Sequence, residues 1–168
     1  MKINVVYPDL LEVQHLVYDP YGFVCSSIVN QSESKDYSAC IFRLNNKTVL
    51  FRTAKITPTK IGQFVTLWKR VGNSPIMPYD ASDPFDLVIF SVRHGKHVGH
   101  FVFPKDVLVQ KGFVSHNGKG GKRAMRVYSP WDMPDNQQGK KSQAWQILYF
   151  VEVVPLVTID KLRELIGS

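Results

Sequence analysis

Two cysteines in 168 residues, Cys25 and Cys40, are too few for a disulfide scaffold, and no Cys-x-x-Cys pair exists to hold zinc or run dithiol chemistry. No stretch approaches the roughly 18 consecutive apolar residues of a membrane-spanning helix. The first nine residues, Met1 to Asp9, are neither long nor apolar enough for a signal peptide. These shortages lead us to expect a reduced, cytoplasmic protein with no membrane partner. Nucleotide and hydrolase signatures are lacking too. No Gly-x-x-x-x-Gly-Lys-Ser/Thr loop is present, no Gly-x-Gly-x-x-Gly opens a helix after a strand, and neither Gly-x-Ser-x-Gly nor His-Glu-x-x-His occurs. Internal repeats, low-complexity tracts and long Pro/Ser linkers are missing as well. What is there is ordinary for a packed protein: 44% apolar and 21% charged residues, enough for one domain over 1–168 and too little for two.

Acidic residues are in short supply, and their scarcity is local. Lys and Arg number 21 against 14 acids, a formal charge of +7. Segment 41–70 holds Arg43, Lys47, Arg52, Lys55, Lys60, Lys69 and Arg70 with no acid, and so carries +7 by itself. Segment 91–126 holds Arg93, Lys96, Lys105, Lys111, Lys119, Lys122, Arg123 and Arg126 against Asp106 alone, again +7. All other residues together therefore sum to −7. Charge segregated in this way makes a directional field that a polyanion feels and a neutral metabolite does not.

The periodicities predict alternating short elements. Pro8 and Asp9 open a helix that carries Leu10, Leu11, Val13, Leu16 and Val17 and stops before Asp19-Pro20. Cys40, Phe42 and Leu44 alternate along a strand. Asn45-Asn46 then supplies turn residues tolerant of positive φ, and Val49, Phe51 and Thr53 continue the return strand. Thr57 followed by Pro58 reads as a capped helix start. Ile61, Phe64, Val65 and Trp68 then fall at i, i+3, i+4 and i+7, although 64–68 alone also fits a strand. A second hairpin is expected over 85–92 and 98–103, with the turn at His94-Gly95-Lys96. A short helix runs from Pro104 to Lys111, ended by Gly112. A loop covers 116–123, a strand 125–128, a helix 142–152 with Trp145, Leu148 and Tyr149 inward, and a final helix is capped by Thr158. Two hairpins interleaved with helices imply an α/β (mixed α+β) domain, a mixed sheet flanked by helices.

Several constellations invite chemistry. Around Thr57 and Thr59, a helix start would offer free N–H groups beside Lys55 and Lys60, an arrangement that accepts phosphate; an ordinary capped helix is the alternative. The loop Gly118-Lys119-Gly120-Gly121-Lys122-Arg123 suits a basic clamp on a nucleic-acid backbone, or a plain solvated loop. Tyr128 and Trp131, next to it, are the better candidates for base stacking, whereas Trp68 and Trp145 fall on apolar stripes and read as core. His94, His97 and His100 are spaced by three, but on a hairpin His97 and His100 point to opposite faces, which argues against a shared metal. Asp80, Asp83 and Asp86 precede one strand, and Lys105 ends the next. An acid and a lysine on adjacent strands suit a nuclease in which carboxylate holds Mg²⁺ and lysine orients water. Loop aspartates also serve as caps and turns.

The block running from Phe51-Arg52-Thr53-Ala54-Lys55-Ile56 through Thr57-Pro58-Thr59-Lys60 to Trp68-Lys69-Arg70 resembles the MepB-like family. So do Tyr37-Ser38-Ala39-Cys40-Ile41-Phe42, Gly99-His100-Phe101-Val102-Phe103-Pro104-Lys105, Arg126-Val127-Tyr128-Ser129-Pro130-Trp131-Asp132 and Ala144-Trp145-Gln146. These blocks span roughly Ser32 to Phe150. The resemblance implies a compact α/β domain similar to restriction-endonuclease-like and tRNA-endonuclease-like folds, with nucleic-acid binding as its role. Active members of that fold carry Asp on one strand and Asp/Glu-x-Lys on the next. Mapped here, Asp86 and Lys105 match that pattern and Phe103 breaks it.

Charge and resemblance together lead us to expect a DNA- or RNA-binding domain with phosphate contacts from Arg52, Lys55, Thr57, Thr59, Lys60, Lys105, Lys119, Lys122, Arg123 and Arg126, and stacking by Tyr128 and Trp131. No cofactor is expected. The alternatives are a divergent Mg²⁺-dependent nuclease using Asp86 and Lys105, a metal-free RNase using His and Lys, and a non-enzymatic regulator that docks an acidic protein partner.

Overall fold

The computed structural model describes residues 5–154 and 159–167. A six-stranded sheet forms its centre, in the order β1-β2-β3-β6-β7-β9, and a three-stranded sheet, β4-β5-β8, lies against it. The two expected hairpins build the middle of the large sheet. The first joins β2 (Cys40–Leu44) to β3 (Lys47–Thr53), and the second joins β6 (Leu87–His94) to β7 (His97–Pro104). Asn45 takes φ +53° in the first turn, and its side-chain oxygen accepts from the Val24 N–H, which ties in the start of β1 (Cys25–Asn30).

The hairpins meet through β3 and β6, which run parallel with Val49 beside Leu87 and Thr53 beside Ser91. A parallel join needs a crossover, and here it carries β4 (Lys55–Ile56) and β5 (Gln63–Thr66). Burial on both faces explains the nearly continuous apolar run of β6, Leu87 to Val92, in which Ser91 is the one polar residue.

Alternation along these strands divides the core in two. Phe42, Val49, Phe51, Ile89 and Val102 face α1 (Pro8–Val13), the π-helical turn Gln14–Tyr18 that extends it, and α4 (Ile159–Ile166). Leu50, Val88, Phe90, Phe101 and Phe103 face the small sheet, α2 (Lys105–Gln110) and α3 (Gln137–Gln146). The edge strand β9 (Phe150–Glu152) pairs with β7 so that the Phe150 ring lies over Gly99, where a Cβ would stand 2.1 Å from a ring atom.

Two expectations are corrected. The segment from Thr57 is no helix: 57–62 bends, and β5 follows. Gly62 takes φ +82°, outside the helical region, and the alternation of buried Gln63, Val65 and Leu67 prevails over the i, i+3, i+4 spacing. The helix expected at 142–152 starts earlier, at Gln137 behind its cap Asn136. It passes through a 3-10 turn, Ile147–Tyr149, and ends in β9, leaving Leu148 63% exposed rather than inward. The expected mixed α/β domain, two hairpins in one sheet flanked by helices, is present; β1, β9 and a second sheet on one face add to it. The final helix is present, while its expected cap Thr158 lies outside the described residues.

Candidate functional site

β8 (Ala124–Val127) places the most chemistry in the least space. It pairs antiparallel with β5, Phe64 beside Arg126, and its alternation sends Met125 and Val127 into the core while Arg126 and Tyr128 share the opposite face. In front of that face opens a cleft of about 540 Å³. Thr59 and Lys60 enter it from the β4–β5 connection, Lys122 from the loop before β8, and Asp135, Asn136, Gln138 and Ser142 from the start of α3. Ile61, Phe113, Met125 and Pro134 supply apolar lining.

Neighbouring groups hold each part of this cleft. Arg126 Nη1 donates to the Gly62 carbonyl at 3.1 Å, which fixes the bend that carries Thr59 and Lys60. A Cβ on Gly62 would stand 2.8 Å from the Val127 carbonyl oxygen and 2.9 Å from the Tyr128 ring, so the ring is seated directly on backbone. Among the described residues no strand pairs with the outer edge of β8, and the side chain of Gln146 takes that place. Gln146 is 1% exposed; its Oε1 accepts from the Tyr128 N–H at 2.7 Å and its Nε2 donates to the Arg126 carbonyl at 3.1 Å. The turn after Tyr128 is locked in the same manner. Asp132 Oδ2 accepts from the Ser129 N–H and hydroxyl, and Gln143 Nε2 donates to the carbonyls of Ser129 and Asp132. Asn136 Oδ1 caps α3 by accepting from the Gly139 N–H at 2.7 Å.

Five of the sequence candidates thus meet in one cleft: Thr59, Lys60, Lys122, Arg126 and Tyr128. Lys119 and Arg123 are exposed on the loop that carries Lys122. The others lie elsewhere. Arg52 is a correction: it is 1% exposed, enclosed between the two sheets with Nη1 donating to the Phe51 carbonyl and a further bond to Tyr79, so it presents nothing to a polyanion. Lys55 is exposed with Nζ 4.6 Å from the centre of the Tyr37 ring. Thr57 is half-buried with its hydroxyl unpartnered, and with no helix there the expected N–H cradle is lost. Trp131 is not open to a base on both faces: the His97 ring stacks on it at 5.1 Å and 22°, and Phe150 meets it edge-on.

Asp86 and Lys105 are neighbours, the Lys105 N–H donating to the Asp86 carbonyl, and they share a separate groove of about 400 Å³ with α4. This groove lies at the first residue of β6, whereas β5 meets the strand's far end through Gln63 Nε2 on the Arg93 carbonyl, roughly 20–25 Å away at strand rise. The two functional groups are already committed. Asp86 Oδ2 accepts from the Thr48 N–H, and Lys105 Nζ donates to the carbonyls of Ala81 and Asp83 and lies over the Phe85 ring. Among the described residues no group of three His, Cys, Asp or Glu side chains is placed to hold a metal ion. Asp80 and Asp83 serve as turn residues. Hydrogen bonds from the Ser82 hydroxyl and N–H, and from Ser115, hold the Asp80 carboxyl well below the ordinary range, while Asp83 pairs with Lys69 at 2.7 Å. His97 and His100 lie on opposite faces of β7, as expected, the first exposed and the second buried.

The α3 side of the cleft escaped sequence reasoning. Its signal was present in Asn136, an N-cap residue type followed by ten helical positions, but the apolar spacing drew the helix start five residues too late. Gln146 offered no signal, because its role depends on a strand edge far away in sequence.

Fold and cleft together define a class: a mixed α/β domain whose small second sheet and third helix enclose a cation-rimmed, aromatic-lined cleft. Within that class the chain belongs to the MepB-like family, whose model matches residues 31–152. The crystal structure of MepB is similar over 87% of this chain and 97% of its own, with 30% identity and a TM-score of 0.76. A bacterial homing endonuclease is similar over 95% of each chain at 14% identity and a TM-score of 0.48, too low to carry an argument. No curated relative matches the chain. Among the described residues no helix is long and apolar enough to cross a membrane.

Proposed function

We propose that this protein binds nucleic acid, gripping the phosphate backbone along the rim of the 540 Å³ cleft, in a reducing cytoplasmic setting where Cys25 and Cys40 stay free thiols. One observation carries the reading. Cations from the two separate basic segments, Lys60 from the first and Lys122 and Arg126 from the second, line one concavity together with an aromatic ring. Lys119 and Arg123, exposed on the loop that carries Lys122, are taken as two further phosphate contacts beside the cleft. Lysine and arginine on a concave wall focus the field on a polyanion and release its counterions on contact.

Anisotropy titrations with labelled DNA and RNA oligonucleotides test it. Five phosphate contacts predict that log K falls against log salt with a slope of about −3.5 to −4.5. Lys122→Ala and Arg123→Ala should each flatten the slope by about one. A titration that is flat in salt, or no binding at low salt, overturns the reading.

A further inference from the structure

We infer that the outer face of the small sheet is a second contact surface, which carries the sugar–phosphate backbone onward from the cleft to Lys55; this rests on the reading above and extends it. The strand register places the residues. Lys55 pairs with Phe64 across β4 and β5, and Phe64 pairs with Arg126 across β5 and β8. Residues directly opposite on antiparallel strands share a face, so these three form one row. Two strand spacings set the Cα atoms of Lys55 and Arg126 roughly 10 Å apart. Val65, Met125 and Val127 point into the core, which turns the row outward. Arg126 also lines the cleft, so row and cleft share one cation and form a continuous surface.

Aromatic rings order this face. Tyr37, at the end of the 3-10 turn Lys35–Tyr37, meets Phe64 edge-on with ring centres 6.2 Å apart. Lys55 Nζ stands 4.6 Å from the centre of the Tyr37 ring, a cation–π contact that positions the ammonium group while the residue stays exposed. Acids do not cancel the row. None of the residues of β4, β5 and β8 is acidic, Lys35 offsets Asp36 on the turn, and Glu33 just before it pairs with Arg70 at 2.9 Å. Along the row a cation, a ring and a second cation follow one another. A nucleic-acid backbone alternates in the same way between charged phosphate and uncharged sugar, and side chains of these polar types contact both without reading sequence. A polyglutamate chain carries charge on every residue and lacks that alternation.

Two measurements on the full chain test this, with a labelled oligonucleotide of about 16 nucleotides as the probe. Lys55→Ala should flatten the salt slope by about one, and Lys55→Arg should keep it. Lys47→Ala, the same change of charge in the groove beside Asp86, should leave the slope as it is. Acetylation of lysines, followed by mass spectrometry, should slow at Lys55 and Lys122 when the oligonucleotide is bound and stay constant at Lys47. The inference is overturned, with the cleft reading left standing, if Lys55→Ala leaves the slope unaltered while Lys122→Ala flattens it. Equal acetylation of Lys55 with and without the oligonucleotide overturns it too. So does polyglutamate that displaces the probe as well as unlabelled oligonucleotide does, which would point to an acidic protein partner. No binding by the parent at low salt overturns both readings.

Discussion

Arg52 carries its charge into the space between two sheets, where no carboxylate pairs with it among the described residues and its Nε has no hydrogen-bond partner. Burial pushes its pKa down from the ordinary value, and Tyr79 offsets part of that cost. Replacing a buried charge by an apolar chain of similar size is often neutral or stabilising, whereas truncation also leaves a cavity. Arg52→Met should therefore unfold in urea within about 1 kcal/mol of the parent, Arg52→Ala should lose about 3 kcal/mol, and neither should alter the salt slope of oligonucleotide binding. From sequence Arg52 was indistinguishable from Lys60, because a strand position reveals its face only when the sheets around it are known. Gln146 shows the same limit. Its amide makes the two bonds a neighbouring strand would make, and Gln146→Leu leaves a donor and an acceptor buried without partners. That change should cost about 2–4 kcal/mol by urea unfolding.

At the scale of elements, β5 explains why one part of the fold was legible and another was not. The two central hairpins announced themselves through alternation and turn residues, since their strands lie in one sheet and their turns need positive φ at Asn45 and Gly95. The segment 57–68 carried both periods, and the deciding residue was Gly62, whose φ of +82° and contact with Tyr128 no local pattern reveals. The same glycine couples fold to cleft. Gly62→Ala adds a Cβ into space held by the Val127 carbonyl and the Tyr128 ring, in a backbone conformation that side chains rarely adopt. We expect a loss of about 2 kcal/mol in thermal or urea unfolding together with weaker binding of oligonucleotides, because Tyr128 must move. Unchanged stability would show that β5 and β8 relax apart at no cost.

Across the whole molecule, the polarity of charge was legible because it depends on counting, while its convergence on one cleft depended on β5 meeting β8. The opposite face of the large sheet holds the other global device. His100 on β7 is 2% exposed, its ring edge-on to Phe51 and its Nε2 without a partner. Burial lowers its pKa from 6.5 to about 4; nearby Asp9 opposes that shift and Arg93 adds to it. Asp9 is itself taken up, accepting from Thr53 on β3 and Ser91 on β6 and pairing with Arg93, so it is not available as a close partner for an imidazolium. A folded-state pKa below the unfolded value means that the unfolded chain binds the extra proton first. The stability His100 gives as a neutral ring is therefore complete above about 6.5 and is lost as pH falls towards about 4. Over that window the loss is about 3 kcal/mol. Urea unfolding at about pH 7 and about pH 4 should show this drop in the parent, and His100→Phe, which fills the same space without a titrating group, should remove most of it. Carboxylates such as Asp80, held below their ordinary range, add their own acid loss in parent and variant alike, so the difference between the two isolates the ring. Equal acid losses in both proteins would mean that water or a shifted Asp9 solvates the imidazolium, and that the interior behind the large sheet is more open than its packing implies.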